Sequence, residues 1–550
     1  MIKENKNIII ITALSLLTVG SFDVFASCTV SAVLCVMLTA EKIRNKTLKV
    51  YKSYAFFSLC LIVLSYGLSF IWAVDRGEAV FGFLKFLPVL LFAVFLMQGE
   101  SDKSDGISLF LPYFSAGMTV VSAILMQVPS LEEFFSVSGR LAGFLQYPNT
   151  FALVLLISLV FIFTKEEIKK SDYITALILF FGIVYSGSRT VFVLTAVTVA
   201  VLVIKTKNKK VKYTALGLFA AVTVGALIFA LLTGKLSSFA RFLTISLTRS
   251  TFVGRFLYFF DALPVILRHP FGLGYLGYYF TQGEFQTGVY TVMFIHNDFL
   301  QLLLDIGWLP TGAFVFVIIR AFFKKGNTLK NRLIIFLIVA HSCFDFDLQF
   351  ISVFMIFITF LDLRSGKTAE IKNTPAVIIV ALVLTVSSLY IGFSDFMRLS
   401  MKDEKSQRIC PLNTLAQINV MKETDDIEKS YDTALKIYSR NKSVPSVYRT
   451  FAVHYYYEGD FETAVENYKK CLEKNPFGYD EAVDYCYMLI NAMDIYKQMG
   501  DSNSVYYCKK ELENAAQRIT GVGSRLSRLG KMIDDQPESV LPEDIASRLD

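Results

Sequence analysis

"AVFGFLKFLPVLLFAVFLM", residues 79–97, carries one charged side chain, Lys85, in an otherwise apolar run. A bilayer crossing needs about 20 predominantly apolar residues, so the run reads as a transmembrane helix whose lysine snorkels to an interface. Comparable runs recur from Ile8 to Phe393. The chain of 550 residues is 54% hydrophobic and 18% charged, with mean hydropathy +0.50. Those values exclude an ordinary soluble protein. They predict an all-α fold, a polytopic transmembrane helical bundle.

Spans are expected near 8–22, 26–40, 54–74, 79–97, 107–127, 149–164, 173–188, 190–204, 213–232, 299–323, 333–345, 348–363 and 375–394. Polar breaks separate neighbours, among them "FDVFAS" (22–27), "WAVDRGE" (72–78) and "HSCFDFD" (341–347). If the last is not a turn, thirteen spans become twelve. The first apolar run follows Lys3 and Lys6 and reads as an uncleaved span. The eight cysteines show no CxxC or paired spacing, which argues against a metal site or a disulfide framework.

Lysine clusters mark the loops 41–53, 164–172, 205–212, 320–332 and 364–373. Thirteen spans with the N-terminus inside place all of them in the cytoplasm, as positive-inside sorting requires. Residues 395–550 then lie outside; twelve spans would return them inside. The outer loops hold one lysine, Lys235, and seven arginines: Arg76, Arg140, Arg189, Arg241, Arg249, Arg255 and Arg268. Sorting disfavours positive charge there, so the retained set points to an anionic ligand. Guanidinium forks bind phosphate bidentately, although any one arginine could instead snorkel to lipid headgroups.

The membrane domain is expected to occupy 1–395 and a soluble domain 396–550. The tail has a formal charge near −4, against about +11 for the rest. Within it, "AVHYYYEGDFETAVENYKKCLEKNP" (452–476) resembles a tetratricopeptide repeat through Ala452, Tyr455, Gly459-Asp460, Ala464, Tyr468 and Asn475-Pro476. A second turn recurs in "YKQMGDSNSVYY" (496–507), and "SYDTALKIYSRN" (430–441) reads as part of an earlier unit. The resemblance implies a soluble, α-helical TPR-like domain that docks a protein partner. Its aromatic residues and His454 are expected to be packing residues.

Four stretches fall on the predicted outer face in chain order: "GRLAGFLQYPNTFA" (139–152), "YSGSRTVFV" (185–193), "VGRFLYFFDALPVILRHPFGLGYLGYYF" (253–280) and "FIHNDFLQLLLDIGWLP" (294–310). The last two belong to the longest outer loop, 233–298, and to the span that closes it. Their order resembles the O-antigen ligase and polymerase superfamily of membrane glycosyltransferases, with "LSFIWAVDRGEAV" (68–80) and "HSCFDFDLQF" (341–350) as further shared features. The likeness covers about 54–362.

That resemblance implies an enzyme of the cytoplasmic (inner) membrane, acting in cell-surface polysaccharide assembly. It would move or polymerise glycan from an undecaprenyl-diphosphate-linked donor onto an acceptor hydroxyl at the extracytoplasmic face. It further implies that Arg189 and Arg255 hold the diphosphate, that His296 assists the acceptor, and that no metal or other cofactor is needed. Arg140 is a third candidate for the diphosphate, and Asn297 or Asp298 could orient the ring. The chemistry agrees. Charge builds on phosphate oxygens as the glycosidic bond breaks, and fixed guanidinium groups at a partly dry rim stabilise it. An imidazole, ordinarily titrating near 6.5, can take the acceptor proton, an effect of about 10²–10⁴-fold. Attack opposite the diphosphate would invert the anomeric centre. Expected partners are the lipid-linked donor, a glycan or other hydroxyl acceptor, membrane lipid and a protein on the repeat region, with no nucleic acid.

Other polar residues have plainer readings. His269 precedes a proline and reads as structural; "GLG" at 272–274 has no βαβ context for a dinucleotide site. His341, Asp345 and Asp347 at membrane depth are functional candidates by default, although an outer turn would explain the aspartates. A flippase for polyprenyl-linked glycans is the main rival, but the spans show no internal repeat. A receptor that recruits assembly factors would leave the histidine and arginines unexplained. A peptidoglycan-type polymerase would rest on an outer carboxylate, for which Asp75 is the nearest candidate.

Overall fold

The helix Pro148–Phe163 is buried on every side, with Asn149 its only partly exposed residue. A helix apolar all round must be surrounded by protein or lipid. In this computed structural model, which describes residues 2–99, 104–232 and 250–549, it is surrounded by protein. The helices Ser104–Leu125, Lys170–Ser186, Arg189–Lys205 and Leu329–Ser342 pack against it. Ile351–Ile358 is equally buried.

The described residues are mostly helical, with two antiparallel two-stranded ribbons, Leu48–Tyr51 with Thr368–Ile371 and Ser136–Val137 with Arg140–Leu141. Every expected span contains helix, and all but one lie largely in it. Among the described residues, five helices are long and apolar enough to cross a membrane: Val24–Asn45, Tyr54–Ile71, Arg76–Leu96, Asp105–Leu125 and Thr374–Leu399. Shorter apolar helices include Lys6–Leu17, Pro148–Phe163 and Trp308–Phe323.

Two expected spans differ in detail. The run 348–363 holds only the eight-residue helix Ile351–Ile358, preceded by a 3-10 turn at Asp347–Gln349. The run 299–323 is two helices, Asp298–Ile306 and Trp308–Phe323, broken at Gly307. There φ is +83° and ψ −170°, a conformation that essentially only glycine adopts. The break lets the Trp308 amide donate to the Pro270 carbonyl at 2.9 Å and brings the loop after Arg268 against the helix ends. The turn expected at 341–347 is present.

Contacts sort the loops onto two faces. On one, the Leu48–Tyr51 ribbon joins loops 41–53 and 364–373. The buried Lys42 ammonium donates to the carbonyls of Ile371 and Lys372, and Gln98 donates to the Lys49 carbonyl. Lys324 pairs with Asp362 at 2.7 Å. On the other face, the Val74 amide donates to Leu273 and the loop 269–297 gathers.

The tail shares that second face. Its helices run Asp403–Ile409, Thr414–Glu423, Ile427–Tyr438, Pro445–Tyr457, Phe461–Lys474, Tyr479–Met499 and Ser502–Thr520, each packed on the next. Ala452, Ala464 and Tyr468 are buried between them, and Gly459 and Gly500 turn the chain at positive φ. His454 stacks on Tyr431 with ring centroids 3.7 Å apart. The tail lies directly on the rest of the chain. Lys474 pairs with Glu284 at 2.8 Å, and Leu415 N donates to Glu78.

Candidate functional site

Chain polarity first explains where the site lies. The helix Leu329–Ser342 ends where "FDFD" follows, and two aspartates cannot continue an apolar span unpaired. Both are buried and both find donors. Asp347 accepts from Thr150 Oγ1 at 2.7 Å and sits 2.5 Å from His341 Nδ1. Asp345 accepts from Tyr147 Oη at 2.7 Å, from Asn149 Nδ2 at 2.8 Å and from the Phe346 amide at 3.1 Å.

Asp345 is the hub of the site. His296 Nδ1 lies 3.2 Å from its Oδ1, and Arg255 Nη2 lies 3.5 Å from its Oδ2. The carboxylate is 1% exposed while the histidine and arginine side chains are 23% and 19% exposed. The anion is thus sealed in, and the two groups that face it still reach solvent. Tyr258 and Phe346 flank the imidazole, with ring centroids 6.2 and 5.0 Å away.

Arg140 joins through Asn149. Its Nη2 donates to Asn149 Oδ1 at 2.7 Å and its Nε to the Ser186 carbonyl at 2.8 Å. The second bond clips Arg140 to the tight turn that carries Arg189, which opens the helix Arg189–Lys205 and is partly exposed. Arg140 and His296, through hydrogen bonds, and Arg255, through an ion pair, therefore share one constellation, with Arg189 on the turn that Arg140 holds.

Asn297 and Asp298 do something other than orient the ring. Asn297 caps the helix Asp298–Ile306, accepting from Phe299 N and Leu300 N, and its Nδ2 donates to the Cys343 carbonyl at 3.0 Å. Asp298 is buried and accepts from the Leu348 amide at 2.9 Å. Both tie the loop that carries the histidine to the 343–348 break. Ring orientation falls to Asp345, which only the fold brings near. Gln301 supports the same loop, accepting from Ile295 N and donating to Asp305, whose other oxygen takes Tyr66 Oη.

Other arginines stay apart. Arg76 and Arg268 are exposed; Arg241 and Arg249, with Lys235, lie outside the described residues. His269 caps its own helix, its Nδ1 2.8 Å from the Val265 carbonyl.

Two expectations need correction. Lys85 does not snorkel: its helix lies inside the protein, so no interface is within reach, and it is 1% exposed. Its ammonium sits 4.7–5.4 Å from the ring centroids of Phe294, Phe22 and Tyr275, beside a small cavity that Asp23, Glu78, Asp395 and Arg398 also line. Asp75 is not an outer carboxylate open to substrate. It is fully buried under the tail, where Asn441 Nδ2 donates at 2.9 Å and Thr414 Oγ1 at 3.1 Å. Burial pushes its carboxyl up, against the pull of those donors and the Glu78 amide.

The residues missed from sequence are Tyr147 and Asn149; Asp345 is a candidate by its depth, but its pairing with His296 and Arg255 is not foreseen there. Each stands in a stretch singled out for its wording, and the available signal was a polar residue at the edge of an apolar run. No curated protein matches the chain. Residues 174–341, the stretch that carries Arg189, Arg255 and His296 but stops short of Asp345, match the family model described as O-Antigen ligase.

Proposed function

We propose that the chain is an inverting glycosyltransferase of the inner membrane. It moves glycan from an undecaprenyl-diphosphate-linked donor onto an acceptor hydroxyl at the extracytoplasmic face. The observation that carries this reading is the meeting of His296 and Arg255 on one buried carboxylate, Asp345, with Arg140 one hydrogen bond further away. The match of 174–341 to the O-Antigen ligase model supports the same chemistry.

With Nδ1 turned to Asp345, the imidazole is held in the tautomer that leaves Nε2 as its acceptor. Nε2 takes the acceptor hydroxyl's proton as that oxygen attacks the anomeric carbon. The glycosidic C–O bond breaks on the opposite side and its electron pair leaves on the lipid diphosphate. Arg255, Arg189 and Arg140 neutralise the charge that collects there. Guanidinium groups supply that neutralisation, so the reaction runs without a divalent metal. The inner-membrane assignment rests on the two faces: lysine-rich loops on one, the arginines and the tail on the other. The tail, 396–550, is read as a TPR-like repeat region that binds a protein partner.

The test uses purified protein and a defined polyprenyl-diphosphate donor. His296→Ala should lower transfer by about 10²–10⁴-fold while donor still binds. Arg255→Lys keeps the charge but loses the fork, and should weaken donor binding. EDTA should have no effect. Wild-type turnover in His296→Ala, or reversible arrest by EDTA, would overturn the mechanism.

A further inference from the structure

The tail's last segment does not end in solvent. After the helix Ser502–Thr520, the chain returns across the second face and lies on the helix Ser250–Arg268, which carries Arg255. Ile533, 7% exposed, packs with Val253, Leu257 and Tyr290, and Leu529 packs alongside. Gly530 sits so close to the Thr287 carbonyl and to Gly288 that no side chain fits there.

Hydrogen bonds run along the same line. Asp261 is on the Arg255 helix and is buried. Its carboxylate accepts from Thr287 N at 2.9 Å, from Thr287 Oγ1 at 2.7 Å and from Tyr290 Oη at 2.9 Å. The Thr287 carbonyl in turn accepts from Ser527 N at 2.9 Å. Thr287 thus bridges the arginine helix and the tail. Gln536 Nε2 closes the segment on itself by donating to the carbonyls of Gly530 and Ile533. Tyr258, the neighbour of His296, feels both sides: burial raises its hydroxyl pKa, Arg255 lowers it and Asp535 raises it.

We propose that residues 527–536 are a strap that holds the helix Ser250–Arg268 in the position that sets Arg255 against Asp345. Ile533 is its anchor, and it acts as a positioning residue through that helix. The functional part of the proposal rests on the diphosphate reading of Arg255; the mechanical part does not. The strap makes the tail part of the site's own framework. The physical need is plain. The arginine helix is amphipathic, with Phe260, Leu263 and Leu267 exposed on one side, and a site built on it requires cover on the other.

Amide exchange of the full-length protein in nanodiscs tests the mechanical part. Ile533→Asp should speed exchange over 252–262 by about tenfold or more, with the tail helix Tyr479–Met499 unchanged. Ile533→Val should restore protection. Gly530→Ala provides a second probe of the same contact should the aspartate variant fail to fold, and should act in the same direction. Unchanged exchange over 252–262 in the folded variants would overturn the strap. Where exchange rises, the donor KM should rise and kcat should fall with it, because Arg255 both holds the diphosphate and neutralises the charge that develops on it. Faster exchange with an unchanged KM would leave the strap standing and remove the diphosphate role of Arg255.

Discussion

At the scale of single residues, Asp345 decides the most. A carboxylate 1% exposed is costly to bury unless donors surround it. Tyr147, Asn149, the Phe346 amide and His296 supply them, and Arg255 adds an ion pair. Asp345→Asn keeps the shape, loses the charge and turns an NH2 toward groups that themselves donate. We expect transfer to fall by about 10²-fold or more, because the ring loses the partner that fixes its tautomer. Single-turnover rates with saturating donor would show it, and a rate within a few-fold of wild type would remove Asp345 from the mechanism. Lys85 teaches the complementary lesson. Its buried ammonium rests on three aromatic faces, a desolvated arrangement in which each cation–π contact is worth about 2 kcal/mol.

At the scale of elements, the break at Gly307 sets how the loop after Arg268 meets the ends of the two helices. The sequence runs apolar through 299–323 and would continue as one helix. Instead the chain turns at φ +83° and its backbone meets Pro270 and Phe271 so closely that a Cβ would collide with them. Gly307→Ala should cost about 1–3 kcal/mol from backbone conformation alone, with the collision added. A lowered unfolding temperature in detergent, beside a neutral control such as Gly312→Ala, would confirm it, since Gly312 has open space around it. Equal unfolding temperatures in the two variants would contradict this account.

Across the whole molecule, sidedness is the testable claim. The tail packs on the face that holds His296 and the arginine helix, so both must lie on one side of the membrane. All four tail cysteines are buried and unsuited to labelling. Tyr506 is 71% exposed, and Lys210 lies exposed among the lysine-rich loops. In a background stripped of reactive thiols, Tyr506→Cys should react with a membrane-impermeant maleimide on intact cells. Lys210→Cys should react only after permeabilisation. The reverse pattern would invert the orientation, and identical behaviour would sink the two-faced assignment.

Some of this was legible from the chain alone. Apolar runs of span length, broken by "FDVFAS", "WAVDRGE" and "HSCFDFD", yield the helices because burying nonpolar length is a one-dimensional property of sequence. The split at Gly307 and the shortness of Ile351–Ile358 were not legible, since each depends on what packs alongside. The candidates His296, Arg255, Arg140 and Asp345 could be named from residue type and position, yet their meeting could not. Asp345 is 49 positions from His296 and joins it only when the 341–347 break folds back. Asp75 looked open and is sealed by Asn441, 366 positions away. Residue chemistry and periodicity are local and survive in the sequence. Which buried charge meets which donor is set by long-range packing, where an unpaired group costs several kcal/mol and the fold must supply its partner.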